Sequence, residues 1–245
     1  MASPHPLDRP VWSALTSRWK PLSLGDDRAR RLAPEYGPFA ASADTSPESL
    51  AALAALAPAE GVLARLEAED QPVPPGLTTI LSAEAVQMVC DAVTPGEPDF
   101  AFAPLTDADA PEMLALAVLT KPGPFAERTN QLGGFIGVRI EGRLVAMAGE
   151  RMKPTGFAEV SGVCTHPDAR GRGYAAGLMR VVARGILARG ETPFLHAYAD
   201  NAGAISLYES LGFRLRRRVN VTMLQAWTPR IRRAHPARSK CRSQY

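Results

Sequence analysis

Val163-Cys-Thr-His-Pro-Asp-Ala-Arg-Gly-Arg-Gly-Tyr-Ala175 is the stretch on which the reading of this chain turns. Its second half, Arg170-Gly-Arg-Gly-Tyr-Ala175, stands between an expected strand, Phe157 to Thr165, and an expected helix, Tyr174 to Arg189. Gly171 and Gly173 have no side chain to block an approaching phosphate, and glycine tolerates the conformations that turn successive N–H groups inward. The first N–H groups of a helix lack partners, and the helix dipole adds positive potential there. Together these make a pyrophosphate cradle, which the charges of Arg170 and Arg172 could supplement. Two rival readings stand beside it. Gly171-x-Gly173-x-x-Ala176 formally fits the dinucleotide fingerprint, yet that fingerprint needs its first glycine directly after a strand, and His166 to Arg170 intervene. The other rival is a glycine turn with a purely structural role.

Outward from the loop, periodicity sets the elements. Leu178, Met179, Val182 and Ile186 share one face of the helix before Gly190, where a C-terminal cap belongs. Phe194 to Ala199 reads as a strand. Asn201 caps a helix carrying Ala204, Leu207, Tyr208 and Leu211, Gly212 ends it, and Phe213 to Met223 returns as strand. On the N-terminal side, Gly162 inside a strand suggests a bulge. Ile136 to Ile140, the turn Glu141-Gly142, and Leu144 to Met152 predict a hairpin. Before it come a short helix ending by Gly133-Gly134, a helix through Leu119 opened by Asp109-Ala-Pro-Glu112, and a strand from Phe100 to Pro104. Thr94-Pro-Gly-Glu-Pro-Asp99 reads as a linker, which places a boundary near Asp99. Residues 1–99 form a smaller region with a helix after Ser46 (Pro47 in its first turn), a strand within Gly61 to Ala68, and a helix opened by Ser82. The expected organisation is residues 1–99, a larger domain over 100–227, and a basic tail over 228–245. The fold class is α/β (α+β) with a mixed sheet.

Composition excludes several classes. The opening MASPHPLDRP has no apolar core of a signal peptide, and the longest strongly apolar run, Met113 to Leu119, is too short to span a bilayer. Cys90, Cys164 and Cys241 form neither a disulfide framework nor a metal-ligand pattern, which fits a reducing, cytoplasmic setting. Charge is unevenly spread. Residues 214–245 hold ten Lys/Arg and no acid, whereas the rest hold 18 bases against 25 acids. Such a tail can attract phosphates or nucleic acid, but few aromatics interleave with its arginines, which argues against stacking on single strands. A solvated terminus is the plainer reading, and the arginines of the last strand could face the chain's own acids.

Taken with Asp200-Asn201 and the run from Ala204 through Leu207-Tyr-Glu-Ser-Leu-Gly-Phe213, the quoted stretch resembles the GNAT superfamily of acyl-CoA N-acyltransferases. Cys164-Thr-His-Pro167 and the extra N-terminal region are most similar to its glycine N-acyltransferase-like branch. The resemblance covers roughly residues 100–225, with two motifs in order. It implies a mixed, mostly antiparallel sheet with splayed central strands flanked by helices, and acetyl-CoA as co-substrate with no metal. It implies that the pantetheine arm pairs with Val163, Cys164 and Thr165, and that the loop Arg170, Gly171, Arg172, Gly173, Tyr174 and Ala175 takes the pyrophosphate. Asn201 would contact the coenzyme arm. Tyr208, two helical turns on and on the same face, would protonate the thiolate. Glu159 is expected to act as base through ordered water, with Glu150 and His166 as alternatives. Each residue also has a plainer role: Asn201 as a cap, Tyr208 as core filler, Cys164 as a small buried residue, His166 as a loop residue, Glu159 and Glu150 on a solvated face. The expected acceptor is a small-molecule or peptide amine, with no membrane partner. Two other classes stay open: an acyl-CoA-binding regulator without turnover, and a nucleic-acid-associated protein using the tail.

Overall fold

The computed structural model describes residues 5–227, so the basic tail over 228–245 lies outside the described residues. In chain order the elements are α1 (Pro10–Leu15), β1 (Ser23–Gly25), β2 (Ala29–Leu32), β3 (Ala40–Ser42), α2 (Pro47–Ala55), β4 (Leu63–Glu67), β5 (Leu77–Val89), β6 (Ala103–Leu105), α3 (Ala110–Thr120), β7 (Phe135–Ile140), β8 (Arg143–Glu150), β9 (Phe157–Thr165), α4 (Tyr174–Ala188), β10 (Thr192–Tyr198), α5 (Ala202–Ser210) and β11 (Arg214–Ala226). An eight-stranded sheet runs β4-β11-β5-β10-β9-β8-β7-β6, and β1-β2-β3 form a small separate sheet. Every pairing in the large sheet is antiparallel except β9 with β10. The fold is the expected mixed α/β arrangement, with a mostly antiparallel sheet flanked by helices.

Local chemistry accounts for most boundaries. Ser46 caps α2 by accepting from the Ser49 N–H, with Pro47 in the first turn. Asn201 caps α5 by accepting from the Ala204 N–H at 3.2 Å. Leu178, Met179, Val182 and Ile186 of α4 are buried against Val145, Ala158, Val160 and Leu195 of the sheet. Each such side chain is worth about 1.5–3 kcal/mol when fully buried. Around Gly162 the register between β8 and β9 shifts from Met147↔Cys164 to Gly149↔Ser161, so the bulge lies where the lone strand glycine suggests. Its φ is +63°, and a Cβ there would stand 2.7 Å from the Phe135 ring, so both backbone and space require glycine.

Four expectations are corrected or refined. Ser82 opens no helix; it lies within β5, paired with Thr222. Ala85, Gln87 and Val89 are buried on one face of that strand, and Val86, Met88 and Cys90 are buried too. A strand buried on both faces reads as a continuous apolar run, which periodicity cannot tell from a buried helix. Asp109 is the N-cap residue of α3 as expected, but its carboxylate makes no cap bond there; it turns back to Thr106 in a reciprocal capping box of the 3₁₀ turn Asp107–Asp109 that precedes the helix. The short helix before Gly133 is a 3₁₀ turn, Thr129–Leu132, and the strand expected from Phe100 begins at Ala103.

The expected boundary near Asp99 falls inside one sheet, because β4 and β5 interleave with β11 and β10. The arginines of β11 are matched by acids of the N-terminal region: Arg214 to Asp91 at 2.7 Å, Arg216 to Asp8 at 2.7 Å, Arg217 to Glu69 at 2.9 Å, and Arg218 to Glu84. That part of the basic C-terminal stretch therefore faces the chain's own acids. Removing residues 1–99 should leave β10 and β11 without the strand that joins them. A chain of residues 100–227 is expected to show no cooperative urea transition by circular dichroism, while the full chain shows one.

Candidate active site

The site is built on the parting of two strands. β9 and β10 pair over only three residues, Phe157↔Thr192, Ala158↔Pro193 and Glu159↔Phe194. Beyond them β9 follows β8 as far as Thr165, and β10 follows β5 as far as Tyr198. A gap opens between the two strands, with the Gly162 bulge on its β9 side. A cavity of about 980 Å³ occupies this gap and continues past both faces of the sheet.

At one end stands the glycine loop. Gly171 (φ +76°) and Gly173 (φ +75°) are both in the left-handed region, and a Cβ on either would meet nothing within 4 Å. Gly173 is the N-cap position of α4, so no side chain covers the first N–H groups, and the first turn carries no acid. The capped starts of α2 and α5 show the contrast. An uncapped fifteen-residue helix that opens onto free space is a ready anion site. Tyr174 is held by an edge-on contact with Phe100, ring centroids 4.8 Å apart.

Every expected coenzyme-contact residue lines the cavity: Val163, Cys164, Thr165, the six residues from Arg170 to Ala175, and Asn201. So does Tyr208, whose phenol is pushed up by burial and therefore keeps its proton at neutral pH. The Thr165 hydroxyl is buried with no hydrogen-bond partner. Burial pushes the Cys164 thiol up to about 11, so it is no nucleophile near neutrality. His166 is a loop residue whose Nδ1 accepts from the Asp168 N–H at 3.2 Å.

Glu159 is the expectation the structure corrects. It is not on the cavity wall but 1% exposed behind it. Arg151 donates to both of its carboxylate oxygens, at 2.9 and 3.1 Å, and His196 Nδ1 lies 2.9 Å from Oε1. Although burial opposes ionisation, Arg151 and His196 hold this carboxyl well below its ordinary range, at about 2. A carboxylate so stabilised has little affinity for an ammonium proton. Glu150 is likewise buried and paired, with Arg189 at 2.8 Å and Lys153 at 2.9 Å, rather than solvated.

Sequence reasoning missed His196, which lines the cavity in front of Glu159. Its Nε2 lies 3.0 Å from the Gln87 amide nitrogen, which also donates to the Leu7 carbonyl at 2.9 Å. The Gln87 oxygen accepts from Arg216 at 2.8 Å. The network assigns His196 a proton on Nδ1 and a lone pair on Nε2. Its position in β10, two residues after Phe194, carries no signal of this, since the partners come from β5 and β9.

Comparison with known proteins agrees with this geometry. The family model described as FR47-like protein matches residues 135–222. A structure from Novosphingobium aromaticivorans, described as an acetyltransferase from the GNAT family, is 50% identical. It matches with a TM-score of 0.86 over 92% of this chain and 100% of its own. A GCN5-related N-acetyltransferase from Kribbella flavida shares 17% identity and a TM-score of 0.60, over 88% of this chain and 96% of its own. A GCN5-related N-acetyltransferase-like protein from Streptococcus suis shares 17% identity and a TM-score of 0.56, over 88% and 92%; these last two are likenesses of fold. No curated protein matches the chain. The parted strands and the uncapped helix start thus define an acetyltransferase-type fold. The chain belongs to the GNAT family.

The Glu159–Arg151 pair makes a stability prediction. A carboxyl whose folded titration is depressed contributes stability that is present above the ordinary carboxylate range and lost as pH falls through about 2. Glu159→Gln leaves Arg151 buried without its counter-charge and should cost about 3–5 kcal/mol at pH 7. The deficit should shrink between about pH 5 and pH 2. Urea midpoints of both proteins across that range check it; a constant deficit would remove charge from the explanation.

Proposed function

We propose that this protein transfers an acetyl group from acetyl-CoA to a primary amine by direct attack in a ternary complex. The observation that carries the reading is the single cavity running from the uncapped start of α4 through the gap between β9 and β10. Three features fit the coenzyme: the open space over Gly171 and Gly173, the unpartnered Thr165 hydroxyl, and the unpaired edge of β9 near Val163 and Cys164. The cradle with Arg170 and Arg172 would hold the pyrophosphate, and the β9 edge with Asn201 would hold the arm. Acetyl-CoA supplies an activated thioester. The chain's own contribution is to bring the amine against it, which replaces a bimolecular encounter by a positioned one. Backbone N–H groups of the β9 edge would favour the oxyanion, and Tyr208 would give its proton to the departing sulfur. Cys164-Thr-His-Pro167 supports a place in the glycine N-acyltransferase-like branch. The free, buried Cys90 and Cys164 support a reducing, cytoplasmic setting. No helix among the described residues is long and apolar enough to cross a membrane.

Gly173→Asp sets a carboxylate at the mouth of the cradle and should weaken CoA binding more than about tenfold. Gly173→Ala, with the same left-handed backbone but no charge, separates strain from repulsion. Calorimetric titration of folded variants checks both, and equal affinities for Asp and Ala would remove the anion site.

Tyr208→Phe should lower turnover by at least about tenfold while leaving CoA affinity nearly unchanged. Thiol release under saturating acetyl-CoA measures the first and calorimetry the second. Turnover within twofold of wild type would make Tyr208 a packing residue.

A further inference from the structure

We propose that the acceptor is an apolar amine that is largely unprotonated at neutral pH, bound between the large sheet and the N-terminal region. This inference rests on the acetyltransferase reading and names its second substrate. The cavity has two chemically distinct ends. On the α4 and α5 side lie the glycine loop, Asn201 and Tyr208. Through the gap it opens onto the other face of the sheet, where Ala64, Leu66, Ala85 and Val221 stand on neighbouring strands. The opposite wall is Phe39, held in place by a backbone bridge to Ala64 and a Pro38 carbonyl that accepts from the Ala64 N–H at 2.8 Å. The N-terminal region therefore completes this chamber.

Charge in the chamber points the same way. Among the described residues no Asp or Glu lines the cavity. At the chamber end the lining cations are Arg151 and Lys121. Arg151 is turned to Glu159 with two nitrogens, donates to the Pro124 carbonyl at 3.2 Å, and lies 4.8 Å over the Phe39 ring. An ammonium ion brought here would lose water and find no counter-charge on the wall.

Among the described residues, none on the wall is placed to remove a proton either. Both nitrogens of His196 are engaged, one with Glu159 and the other with Gln87. Tyr208 and Cys164 hold their protons at neutral pH. A neutral amine needs no base before attack. Its lone pair forms the C–N bond as the C–S bond breaks, one N–H proton leaves to solvent, and one proton reaches the sulfur. The products are an N-acetyl amide and free CoA thiol, with no net proton change.

The test uses the full chain with four probe amines: aniline (apolar, weakly basic), benzylamine (apolar, strongly basic), spermidine (polycationic) and glycine (zwitterionic). Calorimetry reads amine binding to the CoA-saturated protein, and thiol release reads kcat/KM. Aniline should bind at least about tenfold more tightly than spermidine or glycine at pH 7. Its kcat/KM should be flat above about pH 6, whereas that of benzylamine should rise about tenfold per pH unit. Tighter binding of spermidine or glycine than aniline overturns the inference whatever the turnover. Absence of saturable CoA binding, or of thiol release with any probe, is a separate signature that sinks the acetyltransferase reading. Met223→Glu places a carboxylate on the chamber wall from β11 and should move the aniline-to-benzylamine binding ratio at least about tenfold toward benzylamine. An unchanged ratio in a variant that still binds CoA also overturns the inference.

Discussion

The three-residue pairing between β9 and β10 is the constraint from which the site follows. Two neighbouring strands in a sheet normally stay joined along their length, because each buried backbone group needs a partner. Here the Gly162 bulge shifts β9 against β8, and β10 keeps its register with β5, so the two strands part after Glu159 and Phe194. The parting leaves strand edge facing open space in the middle of the molecule. It also makes a passage between the two faces of the sheet, one bearing the uncapped start of α4 and the other covered by the N-terminal region. On the proposed function, a coenzyme and an acceptor would meet from opposite sides without competing for one entrance.

A second constraint runs through the sheet at the point of parting. Arg151, Glu159, His196, Gln87, Arg216 and Asp8 form a continuous chain of polar contacts from β8 to the start of the polypeptide. Buried charges persist only when paired and hydrogen-bonded, and this chain satisfies them in sequence. The cost is functional: a carboxylate so well satisfied is withdrawn from proton transfer, and the imidazole in front of it has no nitrogen to spare. What remains on the wall is apolar surface and proton donors. On the proposed function, that balance ties the stability of the fold to the kind of amine the cavity would accept.

Much of the site was legible along the chain because it is local. A helix start, its glycines and the arginines beside them lie within six residues, and Asn201 and Tyr208 share one helix face. The elements from β7 to β11 follow from alternation, caps and glycine stops for the same reason. β5 was not legible, since burial of its last five residues on both faces erases there the period that distinguishes strand from helix. Nor was the 3₁₀ turn before α3, where the Asp109 carboxylate serves Thr106 rather than its own helix.

The sequence by itself determined most of the order of the elements, the glycine loop at the start of α4 and the family resemblance, all of which depend on neighbours in the chain. Only the tertiary structure decided that β4 and β5 of the first ninety-nine residues share the large sheet, because strand adjacency is set by which apolar faces can be buried together. It also decided the state of Glu159. A carboxylate eight residues from Arg151 and thirty-seven from His196 has no partner until β8, β9 and β10 are laid side by side. Proton affinity depends on the charges and solvent around a group, and those are properties of the folded neighbourhood rather than of the residue.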